Sequence, residues 1–281
     1  MTERRLADHP FGTYSLRGPK AWLRRWANGL ADRPPARWTM SLVRRWCLGG
    51  NPEPVDVEVF GGLHARLYPL TNRCEKRMFV GETTWDAPER EAVARALRAS
   101  ATDRPFVFID GGANVGMYSL FVISLARRLN RSVKVVAVDP DPTNLGRLRD
   151  NLAASAAHEA TIAPNALGES RGTALLLSEQ ANRGEVRVSE QGTVEVAMLP
   201  LLDVLEGAGV DHVDVLKLDI EGHELPVLRA FFETAPRALW PARILLEVQK
   251  EGATPAFDLC LARGYEVSET MRLNVLLHLS D

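Results

Sequence analysis

The chain has 281 residues, 46% hydrophobic and 25% charged, with a formal net charge of −2. That length can bury one sizeable core and leaves room for a small appendage, while no apolar run approaches the ~20 residues that span a bilayer. The opening "MTERRLADHP" lacks the apolar stretch of a secretory signal, and Cys47, Cys74 and Cys260 are too dispersed and odd in number for a disulfide framework or a cysteine zinc site, so a cytoplasmic protein is expected.

Residues 1–50 carry a net charge of +7 and the remainder −9, which suits an anionic partner or docking of head on body. Two amphipathic helices are expected there. "KAWLRRWANGLA" aligns Trp22, Leu23, Trp26, Ala27 and Leu30, and after the break at Arg33–Pro35 the spacing recurs in Trp38, Leu42, Val43 and Trp46. These stripes either lie on a membrane surface or nucleic acid, or pack on the main domain and help roof its pocket, the reading favoured for apolar residues at helical spacing. "VDVEVFGGLHARLYPL" reads as a β-hairpin around Gly61-Gly62, and "APEREAVARALRAS" as a helix. Residues 1–100 thus form a helical and hairpin extension, a candidate lid or dimer element, ahead of a main domain over 101–281.

From Phe106 strands and helices alternate. "FVFID", "VKVVAVD", "ATIAPNAL", "VDVLKLD" and "RILLEVQ" are strands, separated by "VGMYSLFVISLARRL", by "DPTNLGRLRDNL" with Asp141 as N-cap, and by "HELPVLRAFFE". Residues 172–198, broken at Gly184 and Gly192, suggest an inserted hairpin. After the helix "TPAFDLCLARG", "YEVSE" and "RLNVLLHLS" must be antiparallel because no helix fits between them. The expected fold class is α/β, a doubly wound, mostly parallel seven-stranded sheet, Rossmann-like, closing with one reversed strand as in class I methyltransferases.

The turn after the first of these strands is Asp110-x-Gly112-x-Asn114-x-Gly116, leading into a helix N-terminus. A pyrophosphate would be repelled by Asp110. A zwitterion such as a methionine moiety would instead place its carboxylate on the backbone N–H groups and its ammonium on Asp110, directly or through water. Asp139, twenty-three residues past Gly116, can accept the hydroxyls of an adenosine ribose, and Asn165 can offer its amide to the adenine edge or serve only as a turn residue. Asp219, Glu221 and His223 follow strand "VDVLKLD", with Glu247 ending the next strand. A cluster of ionisable groups there suits proton transfer, with Asp219 as candidate catalytic group and Glu221 or His223 assisting; Glu224 is expected as an N-cap. Asp219, Glu221 and Glu247 also leave a Mg²⁺ or Ca²⁺ site as a less favoured alternative.

Taken together, "FIDGGANVGMYSL", "VVAVDPDPTNLGRLRDNL", "ALGES", "DVLKLDIEGHELPVLRA" and "ILLEVQ" resemble the FkbM family of S-adenosylmethionine-dependent methyltransferases over about residues 80–270, the Asp-x-Glu-Gly-x-Glu block being the most specific. The family commonly has glutamate in place of Asp139, and its His223 position varies. The resemblance implies S-adenosyl-L-methionine as cofactor and O-methylation of a small-molecule hydroxyl, on a sugar or secondary metabolite, as in natural product biosynthesis. The N-terminal helices lie outside it and leave room for a homodimer. Two alternatives stand beside this reading: a nucleic-acid methyltransferase, disfavoured by the acidic body and the lack of an "NPPY"-type motif, and a non-catalytic cofactor-binding interaction protein. An NAD-dependent dehydrogenase is opposed by Asp110 and the reversed strand.

Overall fold

A computed structural model describes residues 9–30, 34–49, 54–178, 186–188, 192–248 and 254–280. The expectations on residues 1–8, on Arg33 and on Gly184 fall outside them. Helices α1 (Gly18–Asn28) and α2 (Pro34–Leu48) precede the hairpin of β1 (Val55–Val59) and β2 (Leu63–Leu67). Then come α3 (Arg73–Phe79) and α4 (Ala87–Ala99). The main unit runs β3 (Phe106–Gly111), α5 (Met117–Arg128), β4 (Val133–Val138), α6 (Pro142–Ala154), β5 (Ala160–Ala163), β6 (Ala166–Gly168), β7 (Gly172–Ser178), β8 (Val186–Val188), β9 (Val194–Pro200), α7 (Leu201–Gly207), β10 (Val215–Leu218), α8 (Glu224–Thr234), β11 (Arg243–Glu247), α9 (Pro255–Ala262), β12 (Tyr265–Thr270) and β13 (Asn274–Leu279).

Seven strands form the central sheet in the order β12-β13-β11-β10-β3-β4-β5. The strands β11, β10, β3, β4 and β5 are parallel, and β13 runs antiparallel to both β11 and β12. The last hairpin thus inserts its second strand between β11 and β12, which leaves β13 as the reversed strand. Residue alternation along the strands divides the core into two layers. Phe106, Phe108, Val135, Val215 and Leu245 face α4, α5 and the N-terminal elements, while Val107, Ile109, Val136, Leu216 and Leu246 face α7, α8 and α9. The first layer is continuous from Ala27 and Val57 through Leu97 to Leu148, so the first hundred residues share the core of the main domain.

Three features depart from the pattern read in the sequence. The strand expected over 160–167 ends at Ala163: Pro164 cannot donate to a ladder, and β6 leaves to join a second sheet ordered β6-β9-β7-β8, in which β7 and β9 form the expected antiparallel pair. Helices α3 and α7 are additional; Leu201, Val204 and Leu205, at positions i, i+3 and i+4, bury the inner face of α7. The tryptophan stripes do not pack as expected. The buried seam of α1 and α2 is Ala27, Met40, Val43 and Cys47, whereas Trp22, Trp26, Trp38 and Trp46 are exposed. Trp22 and Trp26 stand one residue before Leu23 and Ala27, about 100° around the helix, and that offset turns them outward.

Asp141 caps α6 through the N–H groups of Thr143 and Asn144, as expected. Gly116 precedes α5 with φ 85°, and a Cβ there would lie 2.4 Å from Leu148 Cδ1. Gly116→Ala is therefore expected to cost about 2 kcal/mol or more, from left-handed strain plus displacement of Leu148. Urea denaturation checks this; adding Leu148→Ala should relieve no more than the steric share.

Candidate active site

The ends of β3, β4, β10 and β11 open into a cavity of about 490 Å³. It is lined by Gly112, Asn114, Asp139 and Asn165 of the expected cofactor set and by Asp219, Glu221 and His223 of the expected catalytic set, with Glu247 beside them. Asp110 and Gly116 are not in the lining. Asp110 is fully buried, and its Oδ2 accepts hydrogen bonds from the Ser119 N–H (3.1 Å) and hydroxyl (2.7 Å).

The glycine turn is built for a different reason from the one its pattern suggests. Asn114 takes φ 52° and Gly112 φ 74°, the left-handed region these residue types tolerate. The N–H groups of Gly112 and Ala113 both donate to Val138 O, that of Gly116 donates to Ala113 O, and that of Asn114 donates to Asp139 Oδ2 at 2.8 Å. These four donors are committed within the fold, so they do not form an open cradle for a ligand carboxylate. A Cβ at Gly112 would sit 1.8 Å from Asp219 O; glycine is needed because the β10 loop crosses here. The Asn114 side chain accepts from Asn72 Nδ2 at 2.8 Å, tying the turn to α3. Asn72 in turn caps α3 through Glu75 N–H, and buried Glu75 pairs with buried Arg147 of α6.

Asp139 accepts from Asn114 and Asp141 N–H, one on each oxygen. Burial pushes its carboxyl up to about 7 against these two hydrogen bonds. Asn165 is buried, and its Nδ2 donates to Ala166 O at 2.9 Å.

The residue that sequence reasoning passed over is Lys217. It faces the same side of the sheet as Val215, directly across from Asp110 in the β3–β10 register. Its ammonium is buried, 3.7 Å from Asp110 Oδ1 and 3.4 Å from Asp219 Oδ2, with Gly111 O and Gly112 O each at 3.3 Å. Burial works to lower its pKa, but Asp219, Asp110 and Asp86 outweigh burial and the net shift is upward. A lysine inside "VLKLD", in a strand buried on both faces, was the available signal.

The loop after β10 is held open by Glu224, the first residue of α8, whose Oε1 accepts from Ile220 and Gly222 N–H. Glu224 thus pins the loop instead of occupying the N-cap position, which falls to His223. Glu221 (φ 57°) and Gly222 (φ 96°) are both left-handed. Glu247, read in the sequence as a member of the ionisable cluster and as a possible metal ligand, hydrogen-bonds Asp219; burial first, then Asp219, pushes its carboxyl up to about 8. Among the described residues no group of three His, Cys, Asp or Glu side chains is arranged to hold a metal ion, so the Mg²⁺ or Ca²⁺ alternative finds no support here although Asp219, Glu221 and Glu247 border one cavity.

The opposite wall comes from the first hundred residues and the β12–β13 turn. The Trp85 ring packs against Tyr118, centroids 4.9 Å apart and tilted at 60°, and the Tyr118 hydroxyl lies 3.4 Å from Asp86, which also pairs with Arg77 at 3.1 Å. Asp86 is left-handed (φ 42°), and burial raises its carboxyl pKa. Arg37, Arg73 and Arg272 border the same cavity.

Lys217→Met would strand buried Asp110 without a counter-charge, and it is expected to destabilise by about 3 kcal/mol or more. Adding Asp110→Asn, which keeps an acceptor for Ser119, should recover much of that loss in a denaturation cycle.

The profile of the FkbM methyltransferase domain matches residues 110–266. Methyltransferase sdnD of Sordaria araneosa is 29% identical over 169 residues, covering 48% of this chain and 63% of that protein. Hexuronic acid methyltransferase AglP of Haloferax volcanii is 29% identical over 144 residues, covering 50% of this chain and 55% of that protein. The matches thus span about three-fifths of the length of these curated relatives. Among solved structures, a second crystal form of the METTL16 methyltransferase domain superposes with a TM-score of 0.50 at 12% identity, covering 90% of this chain and 82% of that one, a likeness of fold alone. With its domain match lying over the strands and loops that build the cavity, the chain belongs to the FkbM methyltransferase family.

Proposed function

We propose that the protein transfers a methyl group from S-adenosylmethionine to a hydroxyl oxygen of a small acceptor, a sugar or secondary metabolite. The observation that carries this reading is a single cavity in which Asp139 and the glycine turn meet the Asp219–Glu247 pair. S-adenosylmethionine bound there supplies an electrophilic methyl group on a sulfonium.

The residues present fit that ligand. Asp139 accepts the N–H groups of Asn114 and Asp141, one on each oxygen, and an Asn144 side-chain hydrogen bond; the acceptor capacity left on its two oxygens suits ribose hydroxyls. Asn165 Oδ1 remains for the adenine edge. With the N–H groups of Gly112, Ala113, Asn114 and Gly116 already engaged, Lys217 is the cation for the ligand carboxylate, and Asp219 lies beside it for the ammonium, the acceptor, or both. Asp110 acts through Lys217 as a positioning residue. For the acceptor, the Asp219–Glu247 pair takes up the hydroxyl proton, with Glu221 or His223 assisting, and a pKa near neutrality suits that work. Trp85 and Tyr118 exclude water, which alignment of the partners requires. The AglP relative is named for a hexuronic acid, and Arg73, Arg77 and Arg272 border the cavity where an acidic sugar would enter.

Calorimetry is expected to give binding of S-adenosylmethionine and none of NAD, with Asp139→Ala losing the former; binding of NAD alone would refute the reading. Asp219→Asn should lower kcat by about 10²–10⁴-fold, and unchanged turnover would remove it from the mechanism. The pair is the stronger proton acceptor once Glu247 has lost its own proton, so kcat should rise with pH through about 8. Glu247→Gln should abolish that inflection.

A further inference from the structure

Helices α1 and α2 carry a face that the fold does not use. Trp22 is 66% exposed, Trp26 45%, Trp38 68%, Leu42 41% and Trp46 49%, whereas Trp85 is buried against Phe60 and Tyr118. The two helices pack on each other and set these side chains on one helical pair. Their inner side is fixed by Ala27, Val43 and Cys47 and by two inward arginines: Arg24 Nε donates to Phe79 O at 2.8 Å, and Arg44 Nη2 donates to Val80 O at 2.9 Å. The outward indoles are therefore held in place by a well-anchored scaffold.

The charge of the face names its partner. Residues 9–30 and 34–49 contain seven Lys or Arg and no Asp or Glu. With Arg24 and Arg44 turned inward, Arg17, Arg25, Arg37 and Arg45 are exposed and Lys20 lies 5.9 Å from the Trp46 ring. Indoles with a rim of basic side chains, on helices too short and polar to cross a bilayer, match the interfacial zone of a membrane, where the ring sits at headgroup depth and the cations meet anionic lipid. A second copy on this face would bring two like-charged rims together. A polyanion that wraps would meet the acidic body, whereas a planar surface meets only this face. Arg37 lines the cavity while its neighbour Trp38 is exposed, so the face is continuous with the cavity mouth.

We propose that α1 and α2 dock the protein on an anionic membrane surface, with the cavity mouth beside the interface. The docking stands independently of the methyl-transfer reading, and calorimetric binding of S-adenosylmethionine in solution is the control that separates the two.

The test is co-sedimentation of the full chain with phosphatidylcholine vesicles, with and without phosphatidylglycerol. Binding is expected only with the anionic vesicles, with a blue shift of tryptophan fluorescence and weakening as salt rises. Trp22→Ser with Trp38→Ser, and separately Arg25→Glu with Arg45→Glu, should each reduce partitioning about tenfold or more while thermal melting and cofactor binding stay unchanged. Should the tryptophan variant melt early, the charge-reversal variant decides. No sedimentation with anionic vesicles overturns the proposal, as does undiminished binding by the folded variants. A dimer, or RNA binding, that these substitutions abolish without any vesicle binding also overturns it and assigns the face to that partner.

Discussion

A buried ammonium joins the two central strands at the point where the site begins. Lys217 stands across from Asp110 in the parallel register and reaches Asp219 two residues on, just past the end of its own strand. Above it the β10 loop passes so close to the glycine turn that no side chain fits at Gly112. Register, turn and loop are thus one constraint. A shift of one residue in β10 would carry Lys217 to the opposite face, strand the Asp110 charge and move Asp219 away from the cavity. The polar groups at the strand ends can be held close because the layers beneath them, α5 on one side and α8 on the other, are densely apolar.

Most of the architecture was legible because it follows from period. Strands buried on both faces read as apolar runs, α6 announces itself by Asp141-Pro142, and the short link between β12 and β13 forces a reversal. What escaped lies where a local pattern has two physical solutions. The spacing of Trp22 and Trp26 states that they share a face but not which way that face turns; the smaller Ala27 and Val43 take the inner position because they let the helices sit close. Helix α3 is only seven residues long, too short for periodicity, and depends on the Asn72 cap and on burial of Glu75. Pro164 was visible, yet the second sheet that receives β6 is a long-range choice.

The candidate site was legible as a set of acids and glycines, while their individual work was not. Asp139, Asn165, Asp219, Glu221 and His223 reach one cavity because all follow strands at the same sheet edge. The glycine turn, read as a ligand cradle, spends four of its N–H groups on Val138, Ala113 and Asp139. Glu247 appeared in the sequence as a member of an acidic cluster, without a named partner. Its raised pKa arises from burial and from Asp219 across a neighbouring strand, a relation that one-dimensional spacing does not carry.

The hydrogen bond from Asn72 to Asn114 also bears on how acceptor preference can change in such a protein. The wall that a substrate would touch, from Arg73 to Glu89, hangs from the same asparagine pair that steadies the turn on the opposite side. Substitutions at Arg77, Thr84 or Trp85 can reshape that wall without touching the link. Exchange of the first hundred residues for those of a relative lacking Asn72 and Glu75 would cut it, along with the Glu75–Arg147 pair. Diversification of this pocket is therefore open to point changes and resistant to recombination at residue 100.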